Sequence, residues 1–290
     1  MNEFVIDKKM MRRSFSRAAA GYDATAVLQR EVCTRMLERL DYIKMKPARL
    51  LDAGSGTGWG GRQLAAQYPD AQIISLDIAI GMLQTAQSRS GWWKKLFRGG
   101  RQMAVCGDVE ALPLVPNSIE MVWSNLAVQW CNDLPATFVE LHRVLKVNGL
   151  LMFSTLGPDT LKELRMAFNG VDDHNHLNRF ADMHDIGDML VQAGFSEPVM
   201  DMEYMTLTYD DVRGVLQDLR GIGAHNATEG RGQGLMGKNA FARLLENYEK
   251  LRREGKLPAT YEIIYGHAWK PQPRVTRDGV AIIKTSFRVK

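Results

Sequence analysis

Residues 48–61 read ARLLDAGSGTGWGG, a short apolar run and then glycines at 54, 56, 58, 60 and 61. The run predicts a strand ending at Asp52. Gly54, Gly56 and Gly58 predict a tight turn that brings backbone close to a ligand before a helix begins at about Gly58. The spacing is Gly-x-Gly-x-Gly. A dinucleotide-binding turn has its third glycine one place later, where this chain has Trp59, so the motif provides no seat for a pyrophosphate. By itself the stretch also fits a strand-to-helix turn that merely tolerates glycine.

Working outward, AQIISLDI (71–78), RQMAVCGD (101–108), IEMVWSNL (119–126) and GLLMFSTLG (149–157) are apolar nearly throughout, as strands covered on both faces must be. Helical periodicity separates most of them. In DLPATFVELHRVLK, Leu134, Phe138, Leu141 and Leu145 share a helical face, and Asn132 or Asp133 can cap the start. From Asp23 to Leu40, Cys33, Met36, Leu37 and Leu40 recur at helical spacing. EPVMDMEYMTLTY (197–209) and ATYEIIYGHAW (259–269) supply two more strands, with a helical, Gly-rich stretch between them. The pattern predicts an α/β fold, a doubly wound and mostly parallel seven-stranded sheet. Its expected divisions are a helical cap segment at 1–47, an α/β core at 48–207, a helical cap insertion at 208–257, and a final strand and tail at 258–290. Both cap segments belong over the carboxyl ends of the strands, where ligands of such sheets bind.

Composition narrows the setting. The 290 residues are 45% hydrophobic, enough for a full core, and 37 Lys plus Arg against 33 Asp plus Glu leave a net charge of +4. That surplus favours acidic partners weakly and falls short of a nucleic-acid footprint. Cys33, Cys106 and Cys131 are odd in number and widely spaced, which suits a reducing cytoplasm. No apolar run is long enough to span a bilayer, and MNEFVIDKKMMRRSFSR lacks the continuous apolar segment of a signal peptide.

Two acidic residues give the glycine turn its meaning. Asp77 closes IISLD, where a carboxylate can accept both hydroxyls of a ribose, and Asp108 closes VCGD, where an oxygen can accept from an adenine amino group. With Asp52 they mark three strand ends, and the arrangement resembles the class I S-adenosylmethionine-dependent methyltransferases. Their ligand has no pyrophosphate, in keeping with the glycine spacing. The resemblance implies a donor site of Asp52, beside the methionine amino group, with Gly54, Gly56, Gly58, Asp77, Ile78, Met82, Asp108 and Val109. It adds Asn125, in WSNLAVQW beneath the methyl group.

Other motifs carry less. No Asn/Asp-Pro-Pro-aromatic motif follows the fourth strand, which disfavours methylation of nucleic-acid bases. His174 and His176 in DDHNHLNRF read as a solvated polar loop, so no metal is expected. GQGLMGKN (232–239) has Asn239 in place of the hydroxyl residue of a phosphate-binding loop. GWWKKLFRGGR (91–101) reads as a basic loop.

Over nearly the whole chain the resemblance narrows. FSRAAAGYDATAVLQRE (15–31), AVQWCNDLPATFVELHRVLKVNGLLMFSTLGPDTLKELR (127–165), DLRGIGAHNATEGRG (218–232) and LPATYEIIYGHAW (257–269) are similar to the malonyl-acyl-carrier-protein O-methyltransferases of biotin synthesis. Only VTRDGVAIIKTSFRVK at the end lies outside it. Where that family commonly has a Lys-Pro-Gly-Gly turn, this chain has LKVNGLL, and Asn148 is suited to the same left-handed backbone. The resemblance implies methyl-esterification of the free carboxylate of malonyl-acyl-carrier protein or malonyl-CoA, with S-adenosylmethionine as co-substrate. It makes Arg220 the expected carboxylate partner, with Arg179 or Arg143 next in line. Tyr22 and Gln29 are expected to close over the site, Trp130 to wall it, and His225 and His267 to stand near it. A carrier would meet Lys94, Lys95, Arg98 and Arg101, or Arg252, Arg253 and Lys256. Two other readings are an assembly factor with a methyltransferase fold and a methyltransferase of quinones or similar small molecules.

Overall fold

The computed structural model describes residues 5–89, 102–171, 178–221 and 237–273, and at 220 and 221 the backbone alone. Each predicted strand is present: β1 Arg49–Ala53, β2 Gln72–Asp77, β3 Gln102–Cys106, β4 Ile119–Asn125, β5 Leu145–Leu156, β6 Ser196–Tyr209 and β7 Leu257–Trp269. They form one sheet in the order β3-β2-β1-β4-β5-β7-β6. The first five run parallel, and β7 is antiparallel to both β5 and β6. Strand order reverses between β1 and β4, so a crevice opens between their carboxyl ends, the usual ligand position in such sheets.

The apolar runs follow from burial on both faces. Leu50 packs with Met121, Trp123 and Leu64 in one layer, while its neighbour Leu51 packs with Val122, Phe138 and Phe153 in the other. The edge strand β3 departs from this expectation. Gln102, Met103, Ala104 and Cys106 are exposed, because an edge strand has one neighbour to cover it.

The helices are α1 Lys8–Ala18, α2 Tyr22–Thr25, α3 Val27–Leu40, α4 Trp59–Gln67, α5 Ile80–Arg89, α6 Leu134–Val144, α7 Lys162–Phe168, α8 Met183–Gln192, α9 Val212–Gly221 and α10 Lys238–Glu249. Asp133 caps α6 by accepting from Ala136 N at 2.9 Å; of the expected face Phe138 and Leu141 are buried and Leu134 half-buried, while Leu145 already begins β5. The expected single helix from Asp23 to Leu40 is two. Ala26 leaves the helical region at ψ +45°, which closes α2 before α3 starts. Asn148 takes the left-handed backbone expected of it, with φ +62°. In the segment between β6 and β7, α9 contacts α2, whereas α10 packs on α7. Leu244 and Tyr248 of α10 are fully buried, and the Tyr248 hydroxyl donates to Pro258 O at 2.9 Å.

Candidate active site

The glycine turn is built as its spacing demands. Gly54, Gly56 and Gly58 have φ of +80°, +52° and +76°, values that favour glycine. Gly54 N and Ser55 N both donate to Leu76 O, at 2.8 and 2.9 Å, which folds the turn against the end of β2. There Asp77, 8% exposed, accepts from Gly56 N through Oδ2 and from Ala79 N through Oδ1, each at 2.8 Å. A carboxylate offers about four lone-pair positions. Two are used by backbone, and the other two can receive a vicinal diol.

Asp52 sits differently from the expectation. It is 2% exposed and is absent from the cavity wall. Its side chain turns beneath the first turn of α4, where a Cβ on Gly61 would come within 3.1 Å of Oδ2. It therefore lies under the start of α4. The reason is the pleat: β1 residues alternate between layers, and Asp52 faces the same side as Leu50. Gly58, against Ala86 of α5, is likewise outside the wall.

Burial, with the neighbouring Asp77 charge adding to it, pushes Asp52 up to about 7, while the Gly61 N–H opposes the shift. Burial pushes Asp77 up to about 6 against its two backbone donors. Unfolded, both groups ionise near 4. Between about pH 4 and 7 the native state holds protons that the unfolded chain has released, so this pair makes stability fall as pH rises. Asp52→Asn is expected to flatten that slope, measured by denaturant unfolding at pH 4.5, 6 and 7.5. The same slope in variant and wild type would refute the assignment.

The remaining donor-site residues come together. Gly54, Gly56, Asp77, Ile78, Met82, Asp108, Val109 and Asn125 line one cavity with Tyr22, Gln29 and Trp130. Asn125 is committed on both sides of its amide: Nδ2 donates to Gln29 O at 2.9 Å, and Oδ1 accepts from Ser154 Oγ at 2.9 Å. It thereby fixes the first turn of α3, which carries Gln29. Gln29 Oε1 is buried without a hydrogen-bond partner among the described residues. Burial and the Asp77 charge hold the Tyr22 hydroxyl well above its ordinary pKa.

The N-terminal cap was expected, but the residues that α1 turns toward the cavity were not named. Met11 and Phe15 of α1 line the cavity, and the Phe15 ring meets Trp130 edge-on with centroids 5.3 Å apart. Lys8 bonds Asp108 Oδ1 at 3.1 Å and pairs with Glu110, so Asp108 reaches the cavity already holding a cation. Ile6 N donates to Asn132 Oδ1 at 2.7 Å, and Asn132 Nδ2 returns a bond to Ile6 O. Lys8, Met11 and Phe15 stand at helical spacing in MNEFVIDKKMMRRSFSR, the signal that locates this face. Thr160, Asn178, Phe180 and Tyr261 complete the far wall, and Asn178 Oδ1 is also buried without a partner among the described residues.

Leu219 of α9 lines the cavity, but the side chain of its neighbour Arg220 lies outside the described residues. So do His225, Lys94, Lys95, Arg98 and Arg101, and the His174/His176 pair. Arg143 is committed to Glu140 and to the carbonyls of Leu112 and Leu114, away from the cavity. His267 pairs between Met152 and Val199 in the sheet and is not in the cavity wall. Among the described residues no cluster of three or more His, Cys, Asp or Glu could hold a metal ion. None of their helices is long and apolar enough to cross a membrane.

Residues 51–153 match the family described as a methyltransferase domain. A protein of Gallionella capsiferriformans named malonyl-[acyl-carrier protein] O-methyltransferase is 83% identical over 290 residues, covering all of both chains. This chain belongs to the malonyl-[acyl-carrier protein] O-methyltransferase family. A member from Nitrosospira multiformis is 58% identical over 281 residues, covering 93% of this chain and 92% of its own. The fold is shared more widely: the YcgJ protein of Bacillus subtilis superposes with a TM-score of 0.58 at 16% identity, over 82% of this chain and 98% of its own.

Proposed function

We propose that this chain transfers a methyl group from S-adenosylmethionine to the free carboxylate of malonyl-acyl-carrier protein, giving the methyl ester. The end-to-end identity of 83% to a protein of that name carries the reading, and the cavity suits both substrates. The free lone pairs of Asp77 fit a ribose diol, and the buried Gln29 Oε1, with no donor among the described residues, fits an ammonium group. Met11, Ile78 and Val109 offer apolar surface beside Asp108 for a purine. Bound there, S-adenosylmethionine supplies an electrophilic methyl on a sulfonium: the acceptor oxygen forms a bond to that carbon as the carbon–sulfur bond breaks and sulfur keeps the pair.

The protein needs no general base, because a carboxylate is already ionised at neutral pH. Its task is alignment and exclusion of water. Tyr22, Gln29 and Trp130 enclose the space, and the α1 roof closes it. Arg220, following cavity-lining Leu219, is assigned to the acceptor carboxylate, for which a planar two-donor fork is suited.

Purified protein with methyl-labelled S-adenosylmethionine and, separately, malonyl-carrier protein, malonyl-CoA or a quinone precursor tests the reading. Base-labile label on the malonyl group is the expected result. Label on the quinone precursor alone would overturn it. Asp77→Ala is expected to weaken donor binding by about 1.5–3 kcal/mol, the loss of charge-assisted contacts. Calorimetry finding unchanged affinity would remove Asp77 from the ribose site.

A further inference from the structure

Helix α1 has a second face that the cavity does not use. Its sequence, KKMMRRSFSRA, contains five basic residues and no acidic one. While Met11 and Phe15 point into the cavity, Lys9, Arg12, Arg13 and Arg17 are exposed along one side and line a groove floored by Ile80, Cys106 and Gly107. None of these four side chains has an acidic partner among the described residues. Lys8, Ile78 and Asp108 belong to both the groove and the cavity, so the groove borders the cavity mouth.

Of the second basic group expected to meet a carrier, two members are already engaged. Arg252 is paired with Glu249 and caps the carbonyls of Gly255 and Asp210, and Lys256 is paired with Asp210 at 2.6 Å. A row of uncompensated cations beside the mouth of a cavity is a steering surface for an anionic macromolecule. We propose that the α1 stripe Lys9–Arg12–Arg13–Arg17 is the docking surface for the acidic protein that carries the acyl thioester on a flexible arm. The assignment rests on the methyltransferase reading above and adds the place where its carrier lands. Because the same helix roofs the cavity through Met11 and Phe15, docking and closure involve one element.

The test compares wild type with the triple variant Arg12→Glu, Arg13→Glu, Arg17→Glu on two substrates: malonyl-carrier protein and malonyl-N-acetylcysteamine, which has the thioester but neither carrier nor phosphate. For the carrier substrate at low salt, KM is expected to rise about tenfold or more with kcat nearly unchanged. The wild-type KM should climb with ionic strength as screening shortens to a Debye length of about 10 Å near 0.1 M, and the variant should lose that dependence. KM for the small thioester and calorimetric affinity for S-adenosylmethionine should stay at wild-type values. The triple Arg→Lys variant should retain most carrier affinity, since charge rather than fork geometry is required. An unchanged carrier KM, or an equal rise for both substrates, would overturn the docking surface. Absence of any carrier turnover by wild type, with the small thioester still methylated, would overturn the carrier reading and the docking together.

Discussion

Arg220→Ala is expected to lower methylation of the malonyl thioester by roughly one to three powers of ten while leaving donor affinity close to wild type. The magnitude follows from alignment: misplacing a nucleophile by about 1 Å can cost around a hundredfold. The candidate sits on α9, next to a residue of the cavity wall. Asp218 accepts from the Tyr209 hydroxyl at 3.0 Å, which fixes the rotation of the helix, and Leu219 enters the cavity wall. Arg220→Lys should recover only part of the loss, because an ammonium cannot reproduce a planar fork. Single-turnover rates and donor calorimetry on the same preparations separate the two effects. Near-normal turnover would move the role to Arg179, which stands between cavity-lining Asn178 and Phe180. Arg143 cannot take it over, being committed to Glu140. A joint collapse of turnover and thermal stability would instead make Arg220 part of a structural ion pair.

Gly54→Ala is expected to cost about 2–4 kcal/mol of stability and to weaken donor binding by about a hundredfold. Two independent penalties meet there. The backbone holds φ +80°, and an added Cβ would lie 2.2 Å from the Cβ of Ala127. Relief requires the turn after β1 and the loop after β4 to part, which opens the floor of the cavity. Gly56→Ala provides the control. Its φ of +52° is strained for alanine, but the nearest atom is Tyr22 Cε1 at 4.0 Å, so about 1 kcal/mol is expected. Ala127→Gly in the Gly54→Ala background should restore part of the loss, since the two residues share one contact. Thermal unfolding and calorimetry of the three variants decide the matter. Equal melting temperatures for Gly54→Ala and wild type would show that the contact is not limiting.

The sheet was legible because its inner strands are buried on two faces, and such strands must be apolar nearly throughout. Leu50 and Leu51 face opposite layers and neither is solvent-accessible. The floor of the site was legible because a glycine at positive φ and a carboxylate at a strand end are local requirements. Asp77 receiving Gly56 N is that requirement met. What sequence misplaced depends on direction or on distant partners. Asp52 shares the motif with Gly54, yet the pleat sends it under α4 and away from the cavity. The break at Ala26 is a single backbone torsion, ψ +45°, which helical periodicity does not register. The lining residues of α1 in the N-terminal cap were missed because the spacing of Lys8, Met11 and Phe15 acquires meaning only once Asp108 and Trp130, a hundred residues away, stand opposite.

The antiparallel insertion of β7 has a consequence for how the chain comes to be made. When β1 to β5 have left the ribosome, β5 has β4 on one side and an open row of N–H and C=O groups on the other. Its partner on that side is β7, with Leu156 meeting Ile263 and Leu150 meeting Trp269. The ring of Phe153 is exposed over the same interval, because it packs where Gly266 leaves space for it. Everything between, β6 and the helical segment included, must be synthesised before that edge is closed. Pairings of such large sequence separation form slowly, and an unpaired apolar edge invites association with other chains in the meantime. Nascent chains halted before residue 257 are therefore the forms of this protein most in need of a chaperone.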